Sequence, residues 1–267
     1  MAKIQVRIIH IFFLIFSRNS SYVTAVIDNS CLDWSARYQG KLSTVDHQFV
    51  APFCLEESHP SGDPHSGLNG PFSIRRFKIL CTIFLNFSRR CMRGKCVHSY
   101  VFDYLQQFWD NYAGLPRFAL AMFNEGHEGT GDVIGLVDDD LHEFLSGEYE
   151  SGGFDNTAVF FLADHGLHMG PFYMFNAYSA KLENHLPLFN AVFPRKFLDE
   201  NPRVETALRY NKDQMFTGID IFETLSHIMD FPTKPEPVSE GTSLLEPLIR
   251  GDTCEDAHIP EEFCVCK

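Results

Sequence analysis

The feature that most constrains this chain is a short apolar run with a polar tip. Ala158-Val159-Phe160-Phe161-Leu162 is followed, after Ala163, by Asp164-His165-Gly166. The run is long enough for a buried strand and too short for a membrane helix. It delivers a carboxylate, an imidazole and a flexible residue to the carboxyl end of a strand, where open α/β sheets place their ligands. A second apolar run, 186–193, ends in Pro194, with Glu183 just before it.

The chain around this run alternates. Positions 101, 104, 105, 108, 109 and 112 are apolar, which is helical spacing with one apolar face. Pro116 stops that helix. The next strand candidate, 118–123, opens onto Asn124-Glu125-Gly126-His127. A helix at 138–145 carries Asp138, Asp139 and Asp140 in its first turn, where the dipole favours acids. Helix, strand, polar loop, then helix, strand, polar loop predicts an α/β fold with a parallel sheet flanked by helices. Upstream, 21–27 is β-branched and aromatic, a strand by propensity. The stretch 43–71 is rich in Pro, Gly, Ser and His and reads as loop. Downstream, 213–229 has helical periodicity, and Pro232, Pro235 and Pro237 form an extended linker.

At 267 residues the chain can bury one large core or two small ones. A net charge of −13 argues against a nucleic-acid surface and tolerates bound cations. The eight Cys include three crowded at the carboxyl end, which leans toward disulfides and an oxidising compartment. A zinc cluster is the weaker alternative, because no pair has C-x-x-C spacing. Residues 1–20 carry Lys3 and Arg7 ahead of an apolar run, which fits either a signal peptide or membrane anchor, or a non-native segment. Asn19 and Asn86 head glycosylation sequons. The apolar run 77–85 sits between basic pairs and reads as a core strand or an inserted, non-coding segment.

Two clusters carry chemistry. The first holds Asn124, Glu125, His127 and Glu128; the second holds Asp164, His165 and His168. Carboxylate plus imidazole is a ligand set for a divalent ion such as zinc or manganese. Neighbouring side chains on a strand point to opposite sides, so Asp164 and His165 are expected to serve two metals, or one metal and a substrate. The bland reading is that Asp-His-Gly is a turn and His127 a solvated loop residue. Likewise, His142 and His227 read as surface or packing residues on helices. No G-x-S-x-G, P-loop or dinucleotide fingerprint is present.

Three segments in order carry a family resemblance: FNEGHEGTGDVIGLVDDDLHEFL, DNTAVFFLADHGLHMGPF and KLENHLPLFNAVFP. TGIDIFETLSHIMDFP, GTSLLEPL and the tail CEDAHIPEEFCVC extend it. Together they resemble the animal family DUF229 and, more widely, the alkaline phosphatase and sulfatase superfamily. The resemblance is strongest over 100–267 and fainter at SYVTAVIDNS. It implies that 21–267 is a partial sulfatase-like domain with a cysteine-bearing tail at 254–267, incomplete at the amino end.

The resemblance also implies a site. Asp164 and His165 match the superfamily's metal-binding pair, and His127 matches the histidine of the preceding loop. Glu125, His168 and Glu183 are supporting candidates. Phe123 stands where phosphodiesterase-like relatives carry an Asp ligand, and Glu125 is the available substitute. The implied cofactor is a divalent metal (zinc, manganese or calcium). The implied substrates are small, glycan or lipid esters of phosphate or sulfate, in the secretory pathway or outside the cell. Disulfide candidates are Cys54, Cys96, Cys254, Cys264 and Cys266. The superfamily's Thr, Ser or Cys nucleophile lies upstream of the segment matched by 21–30, so this chain is expected to be inactive as written. The alternatives are a non-catalytic extracellular binding or structural protein of the same fold, and a cysteine-rich secreted module in which Asp164-His165 is only a turn.

Overall fold

The structure is a computed structural model that describes residues 21–29, 45–54, 91–93, 95–129, 131–175, 177–237 and 240–265. The segment 1–20, the apolar run 77–85, both sequons, Cys266 and the side chain of Cys54 lie outside the described residues. The chain divides into two units. One comprises Ser21–Ser151 and Leu167–Ala180; the other comprises Gly152–Gly166 and Lys181–Lys267.

The first unit is built on a parallel three-stranded sheet in the order β2-β1-β5, where β1 is Val23–Asp28, β2 His47–Phe49 and β5 Arg117–Met122. β1 is central. It pairs with β5 along its whole length, from Val23 opposite Arg117 to Asp28 opposite Met122. Its side chains are covered on both faces, so it reads as a continuous run, with Ala25, Val26 and Ile27 all buried. β2 falls inside the stretch expected to be loop. Three residues are too few to show a period, and the strand is held by its neighbour instead. The amide and hydroxyl of Thr24 donate to Asp46 Oδ2 at 2.8 and 2.7 Å.

Helix α1 is Val97–Asn111, four residues longer at its start than its apolar period predicts. The extra turn contains His98 and Ser99, polar residues that break the pattern yet make tertiary bonds. Val97, Val101 and Phe108 pack in one cluster with Ala25, Ile27 and Phe53. Gly114, with φ of 86°, reverses the chain after α1 toward β5, a conformation open to glycine without strain. A two-residue antiparallel pair, β3 (Cys91–Met92) and β4 (Lys95–Cys96), leads into α1. Cys91, outside the expected set, is disulfide-bonded, whereas Cys96 is a buried thiol. Helix α2, Asp138–Glu150, runs five residues beyond its expected end. Helix α3, Gly170–Phe175, follows His168 in this unit, and α4, Ala177–His185, begins here.

The second unit contains β6 (Val159–Leu162) and β7 (Phe189–Val192), which pair antiparallel with Val159 opposite Val192. A mostly parallel sheet is the expectation, and it leaves the direction of the run 186–193 open. A connection of this length permits a parallel return without requiring one. Here Ala163 N donates to Leu188 O at 2.9 Å, and the pairing closes as an antiparallel ladder. The chain then forms α5 (Arg195–Glu200), α6 (Pro202–Asn211) and α7 (Gly218–Asp230). Thr217 caps α7: its Oγ1 accepts from Ile219 N at 3.3 Å, and Asp220 Oδ2 accepts from Thr217 N at 2.7 Å.

The tail packs on these helices. Leu244, Leu245 and Leu248 are buried, as are Phe222 and Leu225 of α7. Asn211 pins the tail by donating to Leu244 O and Glu246 O and accepting from Leu248 N. A disulfide joins Cys254 and Cys264, two of the candidate cysteines. Among the described residues no helix is long and apolar enough to cross a membrane.

Candidate functional site

The carboxyl edge of the parallel sheet gathers polar side chains. β1 ends in Asp28, Asn29 follows it, both are buried, and β5 leads into the single turn Asn124–Gly126. Asn29 ties the two strand ends together. Its Nδ2 donates to Glu125 Oε1 at 3.1 Å and Oε2 at 2.9 Å, and its Oδ1 accepts from Asn124 N at 2.7 Å. From the other side His98 Nδ1 lies 3.3 Å from Glu125 Oε1. His98 Nε2 lies 3.1 Å from Asp140 Oδ2, out of line for a hydrogen bond. Asp140 also accepts from Ser99 Oγ at 2.5 Å. Glu125 therefore does not stand as an exposed loop carboxylate. It is 4% exposed, and both its oxygens already face donors.

The turn closes with His127 N donating to Asn124 O at 3.0 Å. The His127 ring then lies 5.4 Å from that of His168, centroid to centroid. At that spacing two imidazoles can face one ion. The two segments meet through glycines: a Cβ on Gly170 would stand 1.9 Å from Gly129 O, and φ at Gly170 is 82°. Only glycine fits there.

Asp164 and His165 belong to the other unit. They lie past the end of β6, so strand alternation no longer governs them. Asp164 Oδ2 and His165 Nε2 are 3.6 Å apart, on one side rather than opposite sides. His165 Nδ1 lies 2.8 Å from Gly166 O. A carbonyl only accepts, so in the neutral ring Nδ1 carries the proton and Nε2 carries the lone pair. That second hydrogen bond is the usual way a protein orients a metal-binding histidine. Asn184 Nδ2 donates to the same carbonyl at 3.3 Å, and Gly166 N donates to Asn184 O at 3.1 Å. Glu183 sits on α4 rather than beside a strand. Its backbone oxygen, not its carboxylate, is what meets Gly166.

The donor chemistry fits a divalent ion in part. Two atoms bound tetrahedrally to one ion at about 2.1 Å stand roughly 3.4 Å apart, close to the Asp164–His165 separation. In the neutral ring of His165 the nitrogen on that side is the one without a proton. The donors come in pairs, however: Asp164 with His165, and His127 with His168. Among the described residues no group of three or more His, Cys, Asp or Glu is gathered so that it could hold a metal. Neither pair is a complete coordination set by itself.

Sequence reading missed Asn29, His98 and Asp140. Asn29 follows a faintly matched strand, His98 precedes the periodic part of α1, and Asp140 read only as an acid in the first turn of a helix. The signal for Asn29 was its place directly after a strand end, the edge where α/β sheets collect polar groups. His227, expected at the surface or in packing, is buried on α7, with its Nδ1 3.0 Å from Ser243 Oγ.

No curated protein and no solved structure matches this chain. One family model does match, over residues 74–267, a span that takes in the His127 turn, Asp164-His165-Gly166 and the disulfide-bonded tail. The chain belongs to the family described as protein of unknown function DUF229.

Proposed function

We propose that this chain is a sulfatase-like, divalent-metal-binding domain of the secretory pathway or extracellular space, related to hydrolases of phosphate or sulfate esters. The observation that carries the reading is the His165 ring. Its Nδ1 is held by Gly166 O, and its Nε2 lies beside the Asp164 carboxylate. Asp164 and His165 supply one pair of donors, and His127 and His168 supply another. A bound divalent ion would polarise an ester oxygen. The chain's own residues orient the donors: Gly166 O fixes the tautomer of His165, and the Asn124–Gly126 turn presents His127. The order of the motifs supports kinship to the superfamily, and the Cys254–Cys264 bridge supports an oxidising compartment. Ester cleavage in the superfamily needs an activated hydroxyl or thiol nucleophile. The proposal assigns that role to no residue and extends to metal binding only.

Equilibrium dialysis against zinc, manganese and calcium tests the reading. The wild-type chain retains a divalent ion, and the double variant Asp164→Ala/His165→Ala loses it. Equal metal content in the two proteins ends the assignment.

A further inference from the structure

We propose that Glu125 is a positioning residue rather than a metal donor, and that the buried residues Asn29, Glu125 and His98, with the part-buried Asp140 beside them, set the turn that carries His127. The inference rests on the reading of His127 as a metal donor. Three observations lead to it. Glu125 is 4% exposed, and the Asn29 amide spans both its oxygens. Recruiting it to an ion would strip those bonds and leave Asn29 Nδ2 buried without an acceptor. Asn29 also accepts from Asn124 N, the first residue of the turn, so a single side chain fixes both ends of the contact. Finally, His98 holds Glu125 from α1 through Nδ1, and its Nε2 lies 3.1 Å from Asp140 Oδ2 at the start of α2. Asn29, just after β1, and His98, on α1, thus hold one carboxylate two residues before His127.

The two roles predict different behaviour of Glu125→Gln. Glutamine keeps an acceptor for Asn29 and can donate to His98 Nδ1, so a positioning role survives the change. A donor role does not, because the charged oxygen is gone.

The experiment uses the full chain with Glu125→Gln, Glu125→Ala, Asn29→Ala and the Asn29→Ala/Glu125→Ala double variant. Zinc affinity of Glu125→Gln stays within about threefold of wild type, while Glu125→Ala and Asn29→Ala each lose about tenfold or more. In metal-free protein the His127 imidazole resonances shift in both alanine variants and hold in Glu125→Gln. Unfolding of the singles and the double shows coupling of about fivefold or more in the folding equilibrium. A Glu125→Gln variant as weak for zinc as Glu125→Ala overturns the proposal, and so does additive unfolding with unmoved His127 signals. If wild type binds no zinc, the metal reading fails, and the unfolding cycle and His127 resonances alone decide the positioning role.

Discussion

A Cβ placed on Gly166 would stand 1.7 Å from the backbone oxygen of Glu183. No side chain can occupy that space without moving the helix or the strand end. The close approach also sets the Gly166 carbonyl against His165 Nδ1 and Asn184 Nδ2. Gly166→Ala should therefore destabilise the protein by at least about 2 kcal/mol. Urea unfolding checks this. A loss below about 0.5 kcal/mol would mean the two segments separate at little cost.

The buried Asp220 and the part-buried Arg250 form an ion pair in the second unit. Asp220 is fully buried and takes Arg250 Nη2 at 2.9 Å together with the amides of Thr217 and Thr242. Removing the cation leaves a buried carboxylate with only neutral donors, the two amides and the Thr217 hydroxyl at 3.3 Å. Arg250→Met should cost about 3–5 kcal/mol in urea unfolding, whereas the same change at the exposed Lys196 should cost about 0–1 kcal/mol. Similar losses at the two positions would contradict this.

Acid sensitivity should arise at His227. Burial pushes its pKa below the ordinary 6.5; Glu246 opposes the shift and Lys234 adds to it. The folded state then binds fewer protons than the unfolded state below pH 6.5. Stability is full above that value and is lost as pH falls through 6.5 toward the folded pKa. The urea midpoint should drop between pH 7.5 and 5.5 in wild type and drop less in His227→Gln. At lower pH a second loss follows from Asp46, whose pKa the Thr24 hydroxyl and amide hold below 3.8. That stability is present above 3.8 and disappears as pH falls through the depressed value.

The sequence made some of this legible and hid the rest for physical reasons. β1, β5 and β6 announce themselves as continuous apolar runs, although only β1 is buried and β5 and β6 are half-buried, and α1 and α7 because one face is apolar at helical spacing. β2 escaped because three residues in a polar loop carry no period; its place depends on the Thr24–Asp46 bonds. The direction of β7 was left open because an intervening helix permits either sense. Asp164 and His165 were legible as a motif but not in orientation, because alternation applies within a strand and both residues lie past its end. Glu125 looked like a spare ligand because its donors, Asn29 and His98, lie 96 and 27 positions away in the chain.

The tail should depend on its disulfide. Cys254 and Cys264 are separated by 10 positions, and closing so short a loop stabilises by about 3 kcal/mol on the chain-entropy account. Replacing both with serine should lower the urea-unfolding free energy by about that amount. It should also expose the tail first to proteolysis, as followed by mass spectrometry. Unchanged stability with an intact tail would show that Asn211 and the buried leucines suffice.

The most direct test of the central claim is nitrogen NMR of the His165 imidazole, with and without zinc. In metal-free protein the neutral imidazole should carry its proton on Nδ1 and none on Nε2. One equivalent of zinc should then shift Nε2 while Nδ1 keeps its proton. A proton on Nε2, or no response of that nitrogen to excess zinc, would contradict the reading of Asp164 and His165 as metal donors.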